Sequence, residues 1–208
     1  VELAGVMEAT KITNGKGTAS EKFDRLVGLH GQVPAVKVRT STSVAEQAYS
    51  TPIPLAFLAS RMAGITTDTM VYEPSAGNGA LLAAADPKKV HANELNPSRA
   101  ERLRAILKGA TITVNDASEW SPDKKFDVVI ANPPFGAVKD ASGVSKRFNV
   151  DAQYSTNEID HAISLKALSN MRDDGSAVLL IGGVSKLAKT EKARSDAYNG
   201  KAKREFFL

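Results

Sequence analysis

The sequence predicts an α/β chain built on a doubly wound, mostly parallel sheet with helices on both faces. Three observations carry this. Short segments at 69–73, 90–94, 110–114, 126–131 and 177–181 read as five strands. Segments with helix start and stop signals separate most of them. Glu73, Glu94, Asp116 and Asn132 each fall at or just past the end of one of these strands. Alternating strands and helices are what right-handed βαβ units produce. In such sheets ligands bind outside the carboxyl ends of the strands.

The elements follow in chain order. Residues 1–41 show no strong period and read as an N-terminal arm or linker. Within it Asn14-Gly15-Lys16-Gly17 is a turn signal. Phe23, Leu26 and Val27 give a short helix over 21–29, and 31–40 reads as extended. Residues 42–208 form the one expected domain. Ser50-Thr51-Pro52 is a helix start, a hydroxyl cap followed by proline. Leu55, Leu58, Ala59 and Met62 supply its apolar stripe, and Gly64 ends it. After the first strand, Gly77-Asn78-Gly79 is a tight turn that opens a helix over 80–85. Pro97 and Gly109 bracket an amphipathic helix over 97–108. The continuous run at 126–131 is typical of a buried parallel strand. Ile159, Ala162, Ile163, Leu165 and Leu168 mark a helix over 157–171, and the chain from Leu187 on reads as helical. The stretch 136–156 has no clear period and is too long for an ordinary connection, a length associated with function or disorder.

Composition excludes several classes. With 42% hydrophobic and 24% charged residues in 208, the chain resembles an average globular protein. It has no cysteine, which removes disulfide scaffolds, thiolate metal sites and thiol nucleophiles. His30 and His91 show no ligand spacing and His161 reads as a surface or packing residue, so no metal site is expected. No apolar run reaches the roughly 18 residues of a membrane span, and the first ten residues lack a signal-peptide pattern. A cytoplasmic protein with no membrane partner is the expectation. The net charge is +4. Between Lys186 and Glu205 seven basic side chains face three acidic ones. Such a segment reads either as the footprint of a polyanion or as a solvated face.

Four groups of residues carry chemistry. In Glu73-Pro74-Ser75-Ala76-Gly77-Asn78-Gly79 the glycines let the backbone turn sharply and approach a ligand. A dinucleotide fingerprint wants a third glycine where Leu82 stands, which disfavours nicotinamide and flavin. An acid ahead of the turn suits a positively charged cofactor better than a pyrophosphate. Glu94, past the second strand, can accept both hydrogen bonds of a ribose diol. Asp116, past the third, can accept from an adenine amine, or simply cap a turn. Asn132-Pro133-Pro134-Phe135 follows the fourth strand. Its prolines stiffen the backbone and leave only carbonyl acceptors. The Asn132 amide oxygen and the Pro133 carbonyl can together bind a planar NH2 group, and Phe135 offers a face for stacking a base.

These residues resemble a known family. The segment from Glu73 to Gly79 is similar to the S-adenosylmethionine loop of class I methyltransferases. Asn132 to Phe135 is similar to the Asn-Pro-Pro-aromatic motif of amino-directed methyltransferases, above all the adenine-N6 DNA enzymes. Tyr49-Ser50-Thr51-Pro52 resembles the extra motif of the subgroup that places it first. The likeness spans about 45–185, and more loosely the chain resembles the methylase region of phage and plasmid methylase–helicase fusions. It implies a Rossmann-like methyltransferase sheet and the cofactor S-adenosyl-L-methionine. That cofactor would be held by Thr51, Glu73, Pro74, Ser75, Ala76, Gly77, Gly79, Glu94, Leu95, Asp116, Ala117 and Asn132. Thr51 would close over its methionine part, Glu94 hold its ribose, and Asp116 with Ala117 its adenine. The catalytic set would be Asn132, Pro133, Pro134 and Phe135, acting on a base flipped out of double-stranded DNA, as in restriction–modification enzymes. The reaction would be direct displacement, with no covalent enzyme intermediate.

The family sheet has seven strands, so five imply that the C-terminal edge hairpin is lacking. Further domains of the same polypeptide, or another chain, are expected to complete the fold. Two alternatives stand beside the DNA enzyme. One is a methyltransferase for RNA adenine or protein glutamine. The other is a non-catalytic module that binds S-adenosylmethionine or DNA in a larger assembly.

Overall fold

The computed structural model describes residues 2–32, 50–139, 142–150 and 155–181. The expected linker at 33–40, the start of the domain at 42, Tyr49, and the basic segment from Lys186 with its expected helix lie outside the described residues. The elements are α1 (Glu2–Asn14), α2 (Ala19–Gln32), α3 (Ile53–Met62), β1 (Val71–Glu73), β2 (Val90–Asn93), α4 (Pro97–Ile106), β3 (Thr111–Thr113) and β4 (Phe126–Ala131), followed by β5 (Phe148–Asn149), β6 (Ser155–Thr156), α5 (Ile159–Leu168) and β7 (Met171–Leu179).

Strands β3-β2-β1-β4-β7 form one sheet in that order, and every pairing in it is parallel. The expected doubly wound sheet is therefore present. Side chains alternate across a strand, so Val71, Val90, Ala92 and Ile130 pack with Ala56, Ala59 and Leu103 on one side. Tyr72, Phe126 and Val129 meet Ala167 of α5 in a second cluster. Each fully buried aliphatic chain among them contributes about 1.5–3 kcal/mol. The chain leaves β1 towards β2 and β3 on one side and reaches β4 on the other. The order of strands reverses between β1 and β4, and such a switch point is where α/β sheets open a crevice.

Local chemistry explains the boundaries. The Asn96 side chain accepts from the backbone N–H groups of Ser98 and Arg99 and caps α4, with Pro97 in its first turn. Asn170 ends the chain's exit from α5. Its Nδ2 donates to the carbonyls of Pro122 and, at 2.9 Å, Lys124. That clamp turns the chain, and it runs extended from Met171.

Several expectations need correction. The first 32 residues are not a plain arm: α1 and α2 pack on α3 through Ala9, Ile12, Leu26, Ile53 and Phe57. Their buried positions are few and partly small, so the periodic signal is weak. In α3 the buried face is Ile53, Ala56, Phe57, Ala59 and Ser60, while Leu55, Leu58 and Met62 are exposed. The helix is apolar on both sides, and the face carrying Ala56 and Ala59 allows the closer approach. The expected helix over 80–85 is a single 3-10 turn, Ala80–Leu82. Six residues between Gly79 and the Asp86-Pro87 turn are too few to nucleate and propagate an α-helix. The helix before β7 ends at Leu168 and the strand starts at Met171, not near 177. The stretch 136–156 holds part of an antiparallel ribbon, β5 with β6.

Candidate functional site

Val71 and Tyr72 of β1 pair in parallel with Val128 and Val129 of β4. The carboxyl ends of these two strands therefore lie at the same edge of the sheet, side by side. The loop from Glu73 to Gly79 leaves one, and Asn132 to Phe135 leaves the other.

Hydrogen bonds from β2 hold the first loop. The Ala76 N–H donates to the Asn93 carbonyl at 2.8 Å. The Asn93 side chain is 1% exposed. Its Nδ2 donates to the Pro74 and Asn115 carbonyls at 3.0 and 2.9 Å, and its Oδ1 accepts from the Thr113 hydroxyl at 2.9 Å. One amide thus ties together the chain leaving β1 and the chain leaving β3. Glu94 completes the frame. Its Oε2 accepts from the Gly77 N–H at 2.8 Å, and its Oε1 accepts from the Asn96 N–H and from Nε and Nη2 of Arg99. Asn93 and Arg99 were not singled out in the sequence. Its place next to the end of the segment 90–94, beside Glu94, was the available signal for Asn93.

The two glycines of the loop differ. Gly77 has φ +56, and a Cβ there meets nothing within 4 Å. Its backbone faces open space. Gly79 has φ +77, and a Cβ there stands 3.0 Å from Leu103 Cδ2. It packs against α4 and serves the fold.

Glu73 is 2% exposed. Burial first, and the neighbouring Glu94 carboxylate second, push its carboxyl well above the usual range. Its Oε2 and the Ser75 Oγ are buried with no hydrogen-bond partner among the described residues. Such orphans are costly unless a ligand pairs with them. Two unpaired oxygens, an open glycine backbone and the exposed Leu95 beside Glu94 suit a ligand with cationic, hydrogen-bond-donating and flat apolar parts. S-adenosylmethionine has all three.

Asp116 is partly spent. Its Oδ1 accepts from the Ser118 N–H at 2.9 Å and from the Ser118 hydroxyl at 2.6 Å, the arrangement of a turn aspartate. Ala117 beside it is buried. Both lie past the end of β3, on the same sheet edge as the other two loops.

On the second loop Asn132, Pro134 and Phe135 are half-buried and Pro133 is buried. Past it, the Gly136 carbonyl accepts from the Ile159 N–H at 3.0 Å, and the Gly136 N–H donates to Asp160 Oδ1 at 3.3 Å. The start of α5 thereby fixes the far end of the proline turn. At its near end Asn132 Nδ2 donates to the Thr51 hydroxyl at 2.9 Å, across 81 positions of sequence. The expected hydroxyl cap of α3 is absent: Pro52 is the cap residue and no side chain bonds there. Thr51 faces the proline loop instead.

Residues 98–196 match the family model described as N-6 DNA Methylase. Over an alignment of 93 positions, which covers 39% of the chain and 24% of the relative, it is 36% identical to the Type II methyltransferase M.CvrRI of Paramecium bursaria Chlorella virus XZ-6E. The match thus spans about a quarter of that curated relative. Among solved structures the chain resembles PH1948 from Pyrococcus horikoshii, with 22% identity, a TM-score of 0.48, and 73% and 70% of the two chains covered. It also resembles TrmN from Thermus thermophilus, with 20% identity, a TM-score of 0.45, and 66% and 40% covered. No described helix is long and apolar enough to cross a membrane. Residues 98–196, which include Asn132 to Phe135, are thus similar to the N-6 DNA methylases, and the paired loops stand on a parallel sheet of matching order.

Proposed function

We propose that the chain transfers a methyl group from S-adenosylmethionine to the exocyclic N6 amine of adenine in DNA, with the base turned out of the duplex. One observation carries the reading. The glycine loop after β1 and Asn132 to Phe135 after β4 leave neighbouring parallel strands at one edge, so two reactants can meet between them. The family match, which includes Asn132 to Phe135, supports DNA adenine as the substrate.

When bound, the cofactor would supply an electrophilic methyl, which passes in line to the amine lone pair as its bond to sulfur breaks and S-adenosylhomocysteine leaves. Glu73, Ser75 and the backbone around Gly77 would hold its methionine part. Glu94, already fixed by Gly77 and Arg99, would take the ribose, with Leu95, Asp116 and Ala117 at the adenine. Asn132 Oδ1 and the Pro133 carbonyl would each accept one N–H of the target amine. Two acceptors favour a pyramidal nitrogen and counter the delocalisation of its lone pair into the ring. Once the new N–C bond forms, the amine is acidic, and the same acceptors hold the proton until solvent takes it. Phe135 would stack on the flipped base and offset an unstacking cost of a few kcal/mol. Holding both reactants in line can lower the barrier by about 7–11 kcal/mol.

The test is transfer of labelled methyl to duplex DNA, RNA and protein in parallel. The reading predicts label in DNA. Label confined to RNA or to protein glutamine would replace the substrate. Binding of S-adenosylhomocysteine without transfer would favour a non-catalytic module.

A further inference from the structure

The geometry points to Thr51 as a positioning residue for Asn132: its hydroxyl, by accepting from Asn132 Nδ2, keeps the amide oxygen turned towards the target amine. This rests on the proposed methyl transfer. An asparagine amide has one acceptor end and one donor end, and its terminal torsion is broad and nearly two-fold. Turned the wrong way, Asn132 would present N–H groups to the N–H groups of an amine. Pro133 and Pro134 stiffen the backbone but leave this side-chain torsion free. The 2.9 Å bond from Nδ2 to Thr51 Oγ1 holds the observed orientation.

The mount is rigid. Thr51 precedes a proline, which restrains its backbone to extended conformations. Pro52 starts α3, and Ile53 and Phe57 of that helix are buried against α1 and α2. Thr51 is itself half-buried, so the bond is only partly exposed to water. Because no side chain caps α3, the hydroxyl is not required for the helix. Removing it should therefore change chemistry more than folding.

Two measurements test this on the 208-residue chain with Thr51→Val, Thr51→Ser and Asn132→Ala. In 15N spectra, the side-chain amide signal lost in Asn132→Ala identifies Asn132. It should show one proton protected from exchange in wild type and Thr51→Ser, and none in Thr51→Val. In steady-state transfer, Thr51→Val should lower kcat on the order of 10-fold, the loss of about one hydrogen bond. The KM for S-adenosylmethionine should not change, and Thr51→Ser should restore kcat. An unchanged amide signal in Thr51→Val overturns the proposal. So does a raised cofactor KM with normal kcat, which would assign Thr51 to the methionine end. Absence of any transfer by wild type overturns the functional reading and the catalytic consequence with it, while the spectra still decide whether the tie exists.

Discussion

Asn93→Ala is the substitution that should loosen the site most for the smallest change in shape. The side chain is buried and makes three hydrogen bonds, to Pro74, Asn115 and Thr113. Alanine keeps the strand but strands two carbonyls and a hydroxyl. At about 1 kcal/mol for each bond the loss is about 3 kcal/mol. A domain of this size loses roughly 2–4 °C of Tm per kcal/mol, so the midpoint should fall by about 6–12 °C. Differential scanning calorimetry measures the fall. Titration with S-adenosylhomocysteine at a temperature where both proteins are folded should then show weaker binding, because the loop after β1 has lost its tie to the Asn93 side chain. A midpoint within a degree of wild type would refute the view that this amide holds the two loops together.

Three further outcomes follow from the same site. Glu73 keeps its proton in the fold at pH values where the unfolded chain has lost it, so stability falls as pH rises above the ordinary carboxylate range. Glu73→Gln should therefore raise Tm near pH 8, leave it little changed near pH 4, and weaken binding of S-adenosylmethionine, as thermal scans and calorimetry would show. Gly79→Ala forces a Cβ against Leu103 at positive φ and should cost about 1–3 kcal/mol of stability in chemical denaturation. Gly77→Ala meets no neighbour and should cost only about 1–2 kcal/mol, yet weaken cofactor binding more than its partner substitution does.

Much of the sheet was legible because its strands are short segments closed by chemistry-bearing residues and separated by helix start and stop signals. Glu73, Glu94 and Asn132 stand at strand ends, and alternation alone places them there. The helices were read less well, for identifiable reasons. Of the expected stripe Leu55, Leu58, Ala59 and Met62 only Ala59 is buried, because α3 is apolar on both sides and hydrophobicity alone does not choose between them. Packing favoured Ala56 and Ala59 because small side chains let a helix lie close to a sheet. Of the two helices before residue 33, the one over 21–29 was read and lies within α2, while α1 was missed because its buried positions are scattered among polar ones. In the site itself, residue types at motif positions were visible but the ties between loops were not. Asn93, Arg99 and the Thr51–Asn132 bond join segments distant in sequence, and no local period encodes such contacts. Asp116 was read either as an acceptor for adenine or as a turn cap, and one of its oxygens serves its own turn.

The central claim is that the loops after β1 and β4 form one site for methyl transfer to adenine. Its most direct test is the modified nucleoside itself. Duplex DNA is incubated with the chain and methyl-labelled S-adenosylmethionine, digested, and separated by mass. The account predicts labelled N6-methyladenine with wild type and essentially none with Asn132→Ala. Equal yields from the two proteins, or label on any other nucleoside, would contradict it.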